Sequence, residues 1–286
     1  MNAIGLPLKI TRPALRYFGG KWRLAPWLIS HFPPHDCYVE PFGGAASVLM
    51  LKPRAFAEVY NDLNDRAVNF FRVLRERPSD LVHVLNLTPY SRKEYRLAYE
   101  PSGDPLEDAR RFAILSGQGN RGAGTIDAGG WRWMKHVSRT ATPAREWTKL
   151  DHLYQIAARL QGVQIESDDA KVVIARYDSP KTLYYVDPPY MPSTRCLRWG
   201  GDAYSCEMRE EDHVRLAETL HSVQGMVILS GYPSALYDEL YAGWIKRERS
   251  NTLRVRSNRG RGRRSIECIW VSPNTPLPQP TLLKES

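Results

Sequence analysis

The chain has 286 residues, 42% hydrophobic and 25% charged, an ordinary balance for a globular protein large enough to bury a substantial core. No apolar run approaches the roughly 20 residues that span a bilayer, and the first residues lack the pattern of a signal peptide, so a cytoplasmic protein without membrane contact is expected. The unusual bulk property is a formal charge of +9, with a pI near 9.4, which favours a polyanionic partner and nucleic acid first among these. The four cysteines, Cys37, Cys196, Cys206 and Cys268, form no Cys-x-x-Cys pair, so reduced thiols are expected and a zinc site is not.

Residues 14–21 read Ala-Leu-Arg-Tyr-Phe-Gly-Gly-Lys and run into apolar residues at helical spacing over 22–32. Two glycines before a helix let backbone N–H groups converge on an anion, and Lys21 adds a charge there. A short strand over 37–39 then leads into Glu40-Pro-Phe-Gly-Gly-Ala-Ala-Ser47, with a helix over 48–51. Strand, small-residue turn and helix make the first βα unit of a nucleotide-type fold, and the lack of a Lys-Ser or Lys-Thr pair disfavours a triphosphate loop. A second strand over 55–60 ends at Asn61-Asp62-Leu63-Asn64-Asp65. Asp62 has the spacing of an acid that hydrogen-bonds a ribose diol; capping of the helix expected over 65–77 is the alternative.

From 78 to 148 the pattern changes. Helical stretches over 91–99 and 106–115 flank a glycine-loaded segment, 117–130, containing Gln118, Asn120 and Arg121. Trp131, Arg132, Trp133, Lys135, His136, Arg139 and Arg145 then interleave aromatics with cations, as groove reading and phosphate contact require; a helical subdomain with a surface loop is the bland alternative. A helix over 150–160 returns to the main sheet, followed by a strand over 163–166 ending at Ser167-Asp168-Asp169, a helix over 170–176 and a strand over 182–186. Residues 183–190 read Leu-Tyr-Tyr-Val-Asp-Pro-Pro-Tyr, a buried strand stopping at a corner stiffened by two prolines. Taken alone, those residues suit an ordinary strand-ending turn equally well. A mobile loop is expected over 191–204, with Arg195 in it, then a helix over 209–222, a strand over 226–230, a helix over 235–240 and an edge strand over 244–249. Arg254, Arg256, Arg259, Arg261, Arg263 and Arg264 crowd a glycine-containing loop suited to phosphate, and a strand over 266–271 closes the sheet.

Tyr17-Phe-Gly-Gly-Lys21, Glu40-Pro-Phe-Gly-Gly44, Asn61-Asp-Leu-Asn64 and Asp187-Pro-Pro-Tyr190, in that order and spacing, resemble the Dam-type DNA adenine-N6 methyltransferases, particularly phage-borne members, over roughly residues 14–271. The resemblance implies an α/β fold, a Rossmann-like S-adenosylmethionine-dependent methyltransferase sheet carrying an inserted, mainly helical target-recognition subdomain. On that reading residues 1–77 and 149–272 form the catalytic domain, 78–148 the insert and 273–286 a disordered tail. It implies cofactor contacts from Tyr17, Gly20, Lys21, Glu40, Pro41, Phe42, Gly43, Gly44 and Asp62, with Asp168 facing the cofactor's adenine and Asp187 beside the methyl group. The catalytic tetrad is Asp187, Pro188, Pro189 and Tyr190; S-adenosylhomocysteine is the product and no metal is required. The partner is double-stranded DNA, modified site-specifically and contacted through Asn120, Arg121, Trp133, Lys135, Arg195, Arg259, Arg261 and Arg263. Two departures stand out: Ala46 replaces a usual third glycine of the cofactor turn, and residues 118–124 match the family's recognition hairpin only loosely.

The chemistry is consistent with this. The exocyclic amine of adenine is a poor nucleophile, so Asp187 and the Pro188 carbonyl, accepting both its hydrogens, would aim its lone pair at an incoming methyl group. Lack of a Pro-Cys pair argues against methylation of cytosine C5. Methylation of cytosine N4, or a DNA-binding module that has lost catalysis, are the competing expectations.

Overall fold

The computed structural model describes residues 10–134, 142–194, 203–253 and 263–276. Its centre is a seven-stranded sheet of β1 (Cys37–Glu40), β2 (Ala57–Asn61), β3 (Val163–Glu166), β4 (Thr182–Val186), β5 (Met226–Gly231), β6 (Ile245–Leu253) and β7 (Arg263–Val271), in the order β3-β2-β1-β4-β5-β7-β6. The first five pair in parallel, while β7 runs antiparallel between β5 and the edge strand β6. Strand order reverses between β1 and β4, and such a reversal opens a crevice at the carboxyl ends of the strands. The expected Rossmann-like sheet is therefore present.

Both faces of the sheet are covered. Along β4, Leu183 and Tyr185 point into one apolar layer and Tyr184 and Val186 into the other, the two-residue alternation of a strand. The first layer is packed by α1 (Ala25–Ile29), α2 (Ser47–Leu51), α3 (Asp65–Glu76), α4 (Pro78–Leu87), α6 (Pro105–Gln118) and α8 (His152–Leu160). The second is packed by α9 (Ala170–Arg176), α10 (Glu210–Ser222) and α11 (Ala235–Leu240). The short helices α5 (Arg92–Leu97) and α7 (Pro143–Trp147) complete the segment between α4 and α8.

Two helices absent from the sequence reading, α4 and α7, start with proline at the first helical position, where its missing N–H costs nothing. Helix α6 starts one residue earlier than expected, where Asp104 caps it and Pro105 opens it, and continues three residues further, to Gln118. The segment 78–148 also shares the main core more than its composition suggests. Leu81, Leu85 and Phe112 lie in the first layer, whereas Tyr95, Ala98, Ile114, Leu115 and Ala128 make a small core of their own. Residues 273–276, expected within a disordered tail, are ordered against the sheet. Thr275 is buried, and its hydroxyl and that of Ser272 both accept from the Val227 amide, holding the chain against β5. Among the described residues no helix is long and apolar enough to cross a membrane.

Candidate active site

The strand ends converge on one cavity of about 250 Å³ at the β1/β4 reversal. Its floor is the turn after β1. There Gly43 could not carry a side chain, because a Cβ would lie 2.2 Å from the ring of Tyr60. Ala46 sits at φ +53°, the one non-glycine residue with positive φ among those described, so this position does demand the left-handed conformation that the missing glycine would adopt freely. Residues 17–20 supply a second wall. Tyr17 forms a parallel bridge with Ala123, Phe18 N donates to the Ala123 carbonyl at 3.0 Å, and Ala123 N donates to the Arg16 carbonyl at 2.8 Å. The glycine segment around residue 123 is thus stitched to residues 16–18. Gly124, at φ +84°, lines the cavity itself, and a Cβ there would fall 2.4 Å from the Tyr17 ring.

The carboxylates around the cavity are held differently. Asp62, at the end of β2, accepts from Gly44 N at 2.7 Å and from Asn64 N at 2.8 Å, binding the two turns together, and burial raises its pKa. The helix cap is Asn64, not Asp62, so Asp62 keeps lone pairs on both oxygens toward the cavity it lines. Glu40 closes β1. Its Oε1 accepts from the Tyr38 hydroxyl and from Leu49 N, both at 2.6 Å, and burial pushes the carboxyl up to about 7. Asp187 ends β4 with Oδ1 accepting from Ser230 Oγ at 2.7 Å and lying 3.0 Å from Lys21 Nζ. Lys21 also donates to the Gly19 carbonyl at 2.8 Å. Expected as a cofactor or anion contact, Lys21 lines the cavity and is also the buried partner of Asp187.

Tyr190 is only 6% exposed, its ring edge-on to Tyr232 at 4.5 Å between centroids, with Lys21 Nζ 4.6 Å from its own centroid and its hydroxyl donating to Glu267 Oε2 at 3.0 Å. Tyr17, Gly20, Lys21, Glu40, Phe42, Gly43, Gly44, Asp62, Asp187, Pro188 and Pro189 all line the cavity; Tyr190, Pro41 and Asp168 do not. Asp168 is tied through its main chain to Asn61 and through its carboxylate to Arg176 at 2.9 Å, which turns it away from the cavity. The sequence reading missed Ser230, Glu267 and the wall formed by Tyr204, Ser205, Cys206, Glu207 and Met208. That wall is anchored at Ser205, just beyond the mobile loop expected over 191–204. Ser205 N donates to the Gly124 carbonyl at 3.1 Å, and Asn64 Nδ2 donates to Ser205 Oγ at 2.9 Å. The signals available were a serine at a strand end and a lone acid in the apolar run of β7.

Of the expected DNA contacts, Asn120 and Arg121 lie on a hairpin closed by Asn120 N to Gly130 O at 3.0 Å and Arg121 N to Ala128 O at 2.9 Å. Arg121 lies 3.5 Å from Asp127, and Trp133, just beyond the hairpin, is 58% exposed. Lys135, Arg195, Arg259 and Arg261 fall outside the described residues, as does the side chain of Arg263. Among the described residues no cluster of His, Cys, Asp and Glu is placed to hold a metal.

A doubly covered parallel sheet, a small-residue turn after β1, an acid after β2 and an Asp-Pro-Pro-Tyr corner after β4 define a methyltransferase that uses S-adenosylmethionine. Residues 17–255 match the D12 class N6 adenine-specific DNA methyltransferases, and the chain belongs to that family. Curated relatives include DNA adenine methylases of Escherichia coli, 24% identical over 91% of this chain and 94% of the relative, and of Salmonella typhi, 25% identical over the same shares. A type II methyltransferase of Lactococcus lactis is 25% identical over 80% of this chain and 84% of its own length. The protein is an S-adenosylmethionine-dependent enzyme that methylates adenine N6 in DNA. Adenine is therefore the base, not cytosine.

Proposed function

We propose that the enzyme acts site-specifically on duplex DNA, receiving an adenine turned out of the helix into the corner made by Asp187, Pro188 and Tyr190. The observation that carries this reading is the nitrogen already bound there. The Lys21 ammonium lies 3.0 Å from Asp187 Oδ1 and 4.6 Å from the centre of the Tyr190 ring, the relation that a target amine would have to both groups. The adenine amino group takes that place as Lys21 moves aside, which also uncovers the ring. Asp187 and the Pro188 carbonyl accept the two N6 hydrogens, Pro189 keeps the corner stiff, and Tyr190 stacks on the base. Stacking of this kind contributes about 1–3 kcal/mol, comparable to the few kcal/mol required to unstack a base.

The cavity suits the cofactor. It offers apolar surface from Phe42 and Val48, a carboxylate with spare lone pairs at Asp62 and a second one at Glu40, within a turn whose glycines let it fold tightly. S-adenosylmethionine supplies an electrophilic methyl group on sulfur. Tyr17, Gly20, Glu40, Phe42, Gly43, Gly44 and Asp62 hold it, and residues 204–208 shut out water. The glycine hairpin with Asn120, Arg121 and Trp133 contacts DNA, with the cationic segments containing Lys135, Arg195, Arg259, Arg261 and Arg263 on the phosphates. We place the reaction in a bacterial cytoplasm, where the relatives' hosts keep their DNA.

Mapping methylated adenines in DNA from cells expressing the protein gives the sequence context. A duplex carrying that context then tests the corner under single-turnover conditions. Asp187→Ala is expected to lose at least about 10²–10³ in the transfer rate, while duplex binding stays measurable. Transfer that survives the substitution, or equal transfer to single strands, sinks the reading.

A further inference from the structure

Glu267 has no part in the roles assigned so far, yet it occupies a place where a carboxylate is costly. It is 8% exposed on β7, followed by Cys268, Ile269, Trp270 and Val271, all buried. An apolar residue would serve the strand better, and a buried carboxylate persists where something is bound to it. What binds it is the hydroxyl of Tyr190, 77 residues away in sequence, at 3.0 Å from Oε2.

We infer that Glu267 is the positioning residue of the active corner, setting the plane in which Tyr190 meets the target base. The inference rests on the reading of Tyr190 as the stacking surface. A tyrosine ring turns about two side-chain torsions, and stacking is productive only when the ring lies parallel to the base that Asp187 holds by its amine. The backbone of Tyr190 is fixed by the prolines before it, but prolines fix no side-chain torsion of the next residue. Tyr232 meets the ring only at its edge, and Lys21 must leave when the base arrives. The hydroxyl bond to Glu267 is directional, survives the arrival of the base and is anchored in a central strand flanked by β5 and β6. The antiparallel course of β7 beside β5, which pairs Cys268 with Gly231 and so leaves Glu267 beyond the end of β5, brings the carboxylate over the corner. The carboxyl of Glu267 is raised by burial, with Lys21 and the Tyr190 hydroxyl lowering it and Asp187 raising it further, so the two carboxylates and the ammonium form one electrostatic unit.

The test uses the full-length enzyme and a duplex bearing 2-aminopurine at the adenine found to be methylated, whose fluorescence rises when the base leaves the stack. Glu267→Ala is expected to cut that rise by more than half and to lower kcat by roughly 10- to 100-fold, as a misplaced reacting group does. Affinity for S-adenosylhomocysteine should stay within about twofold, since the cofactor cavity is lined by other residues. Glu267→Gln, which keeps an oxygen to accept from the hydroxyl, should recover the rise and kcat to within about threefold of the parent. In a Tyr190→Phe background, where the hydroxyl is gone, Glu267→Ala should add less than about a twofold further loss, the signature of a residue that acts through that hydroxyl. Equal impairment of the Ala and Gln variants, or an undiminished effect of Glu267→Ala in the Phe background, overturns the inference. Tyr190→Ala separates the two layers. If it abolishes the fluorescence rise and Glu267→Ala leaves the rise intact, only the role of Glu267 falls. If Tyr190→Ala leaves the rise intact, the stacking reading and this inference fall together.

Discussion

Two buried clusters of charge lie near opposite ends of the same strands. Toward the amino end of β2, Glu58 is 2% exposed and saturated: Lys52 and Arg159 donate to its Oε1 at 2.7 and 2.8 Å, Arg159 also reaches Oε2, and Arg54 lies 3.5 Å away. Despite burial its carboxyl is held below the usual range by these cations. At the carboxyl ends, Asp187 takes Lys21 and Ser230 on a single oxygen, while burial raises Glu40 and Glu267. The first cluster has matched every carboxylate lone pair it can and holds β2, the turn after α2, and α8 together. The second keeps acceptor capacity in hand beside a cavity, as the proposed uptake of a substrate amine there would require. Saturation marks structure, and spare capacity marks chemistry.

That contrast can be broken most easily at the saturated end. Arg159→Met leaves Glu58 buried with an incomplete shell and is expected to cost about 3–5 kcal/mol in chemical denaturation, while the folded fraction methylates DNA at the parental rate. A variant of normal stability and lowered activity would erase the distinction. Glu40 sharpens it through pH. Its folded carboxyl stands at about 7, above the ordinary value near 4.3, so the folded chain holds a proton that the unfolded chain releases first. Its contribution to stability is complete below about 4.3 and is lost as the pH rises through 7. Unfolding free energy should therefore fall across that window by on the order of 2–3 kcal/mol more in the parent than in Glu40→Gln, and parallel pH profiles would contradict it. Ser230→Ala removes one of the two donors on Asp187 and should lower kcat by less than about tenfold with little change in stability, a typical single hydrogen bond. A stability loss without a rate effect would place Ser230 with the structural set. The smallest effect is expected at Ala46, where glycine relieves a left-handed conformation but removes a buried methyl group. The net change in stability should be within about 1 kcal/mol of zero, measured with affinity for S-adenosylhomocysteine as a control.

What the sequence disclosed is what lies along a single segment. Strand ends at Glu40, Asp62 and Asp187 could be found because each follows a short apolar run and precedes small residues, prolines or a helix. The need for positive φ at Ala46 could be posed from the glycine pattern, and the backbone answers it. What stayed hidden joins distant segments. That Lys21 pairs with Asp187, that Tyr190 is capped by Glu267, and that residues 204–208 close the cavity against Gly124 all depend on how β4, β5 and β7 are stacked side by side. Asp168, for which the resemblance implied a contact with the cofactor's adenine, pairs with Arg176 at the end of the next helix, a contact the resemblance did not disclose. The helices opened by Pro78 and Pro143 lie in the segment where the apolar pattern changes and went unread; in both, proline stands at the first helical position.

The seam between residues 16–18 and 122–124 carries a consequence for how such a chain can change over generations. On the proposed reading this segment contacts DNA and would gain new targets by free drift of its residues, yet it is sewn at its tip to the tyrosine that walls the cavity, and any side chain at Gly124 would strike that ring. The hairpin is thus pinned at its tip and open to variation along its arms at Asn120 and beyond Ala128. A graft of another hairpin onto this scaffold would have to keep glycine at both 122 and 124, where a Cβ would fall 2.4 Å from the Arg16 carbonyl oxygen and from the Tyr17 ring respectively.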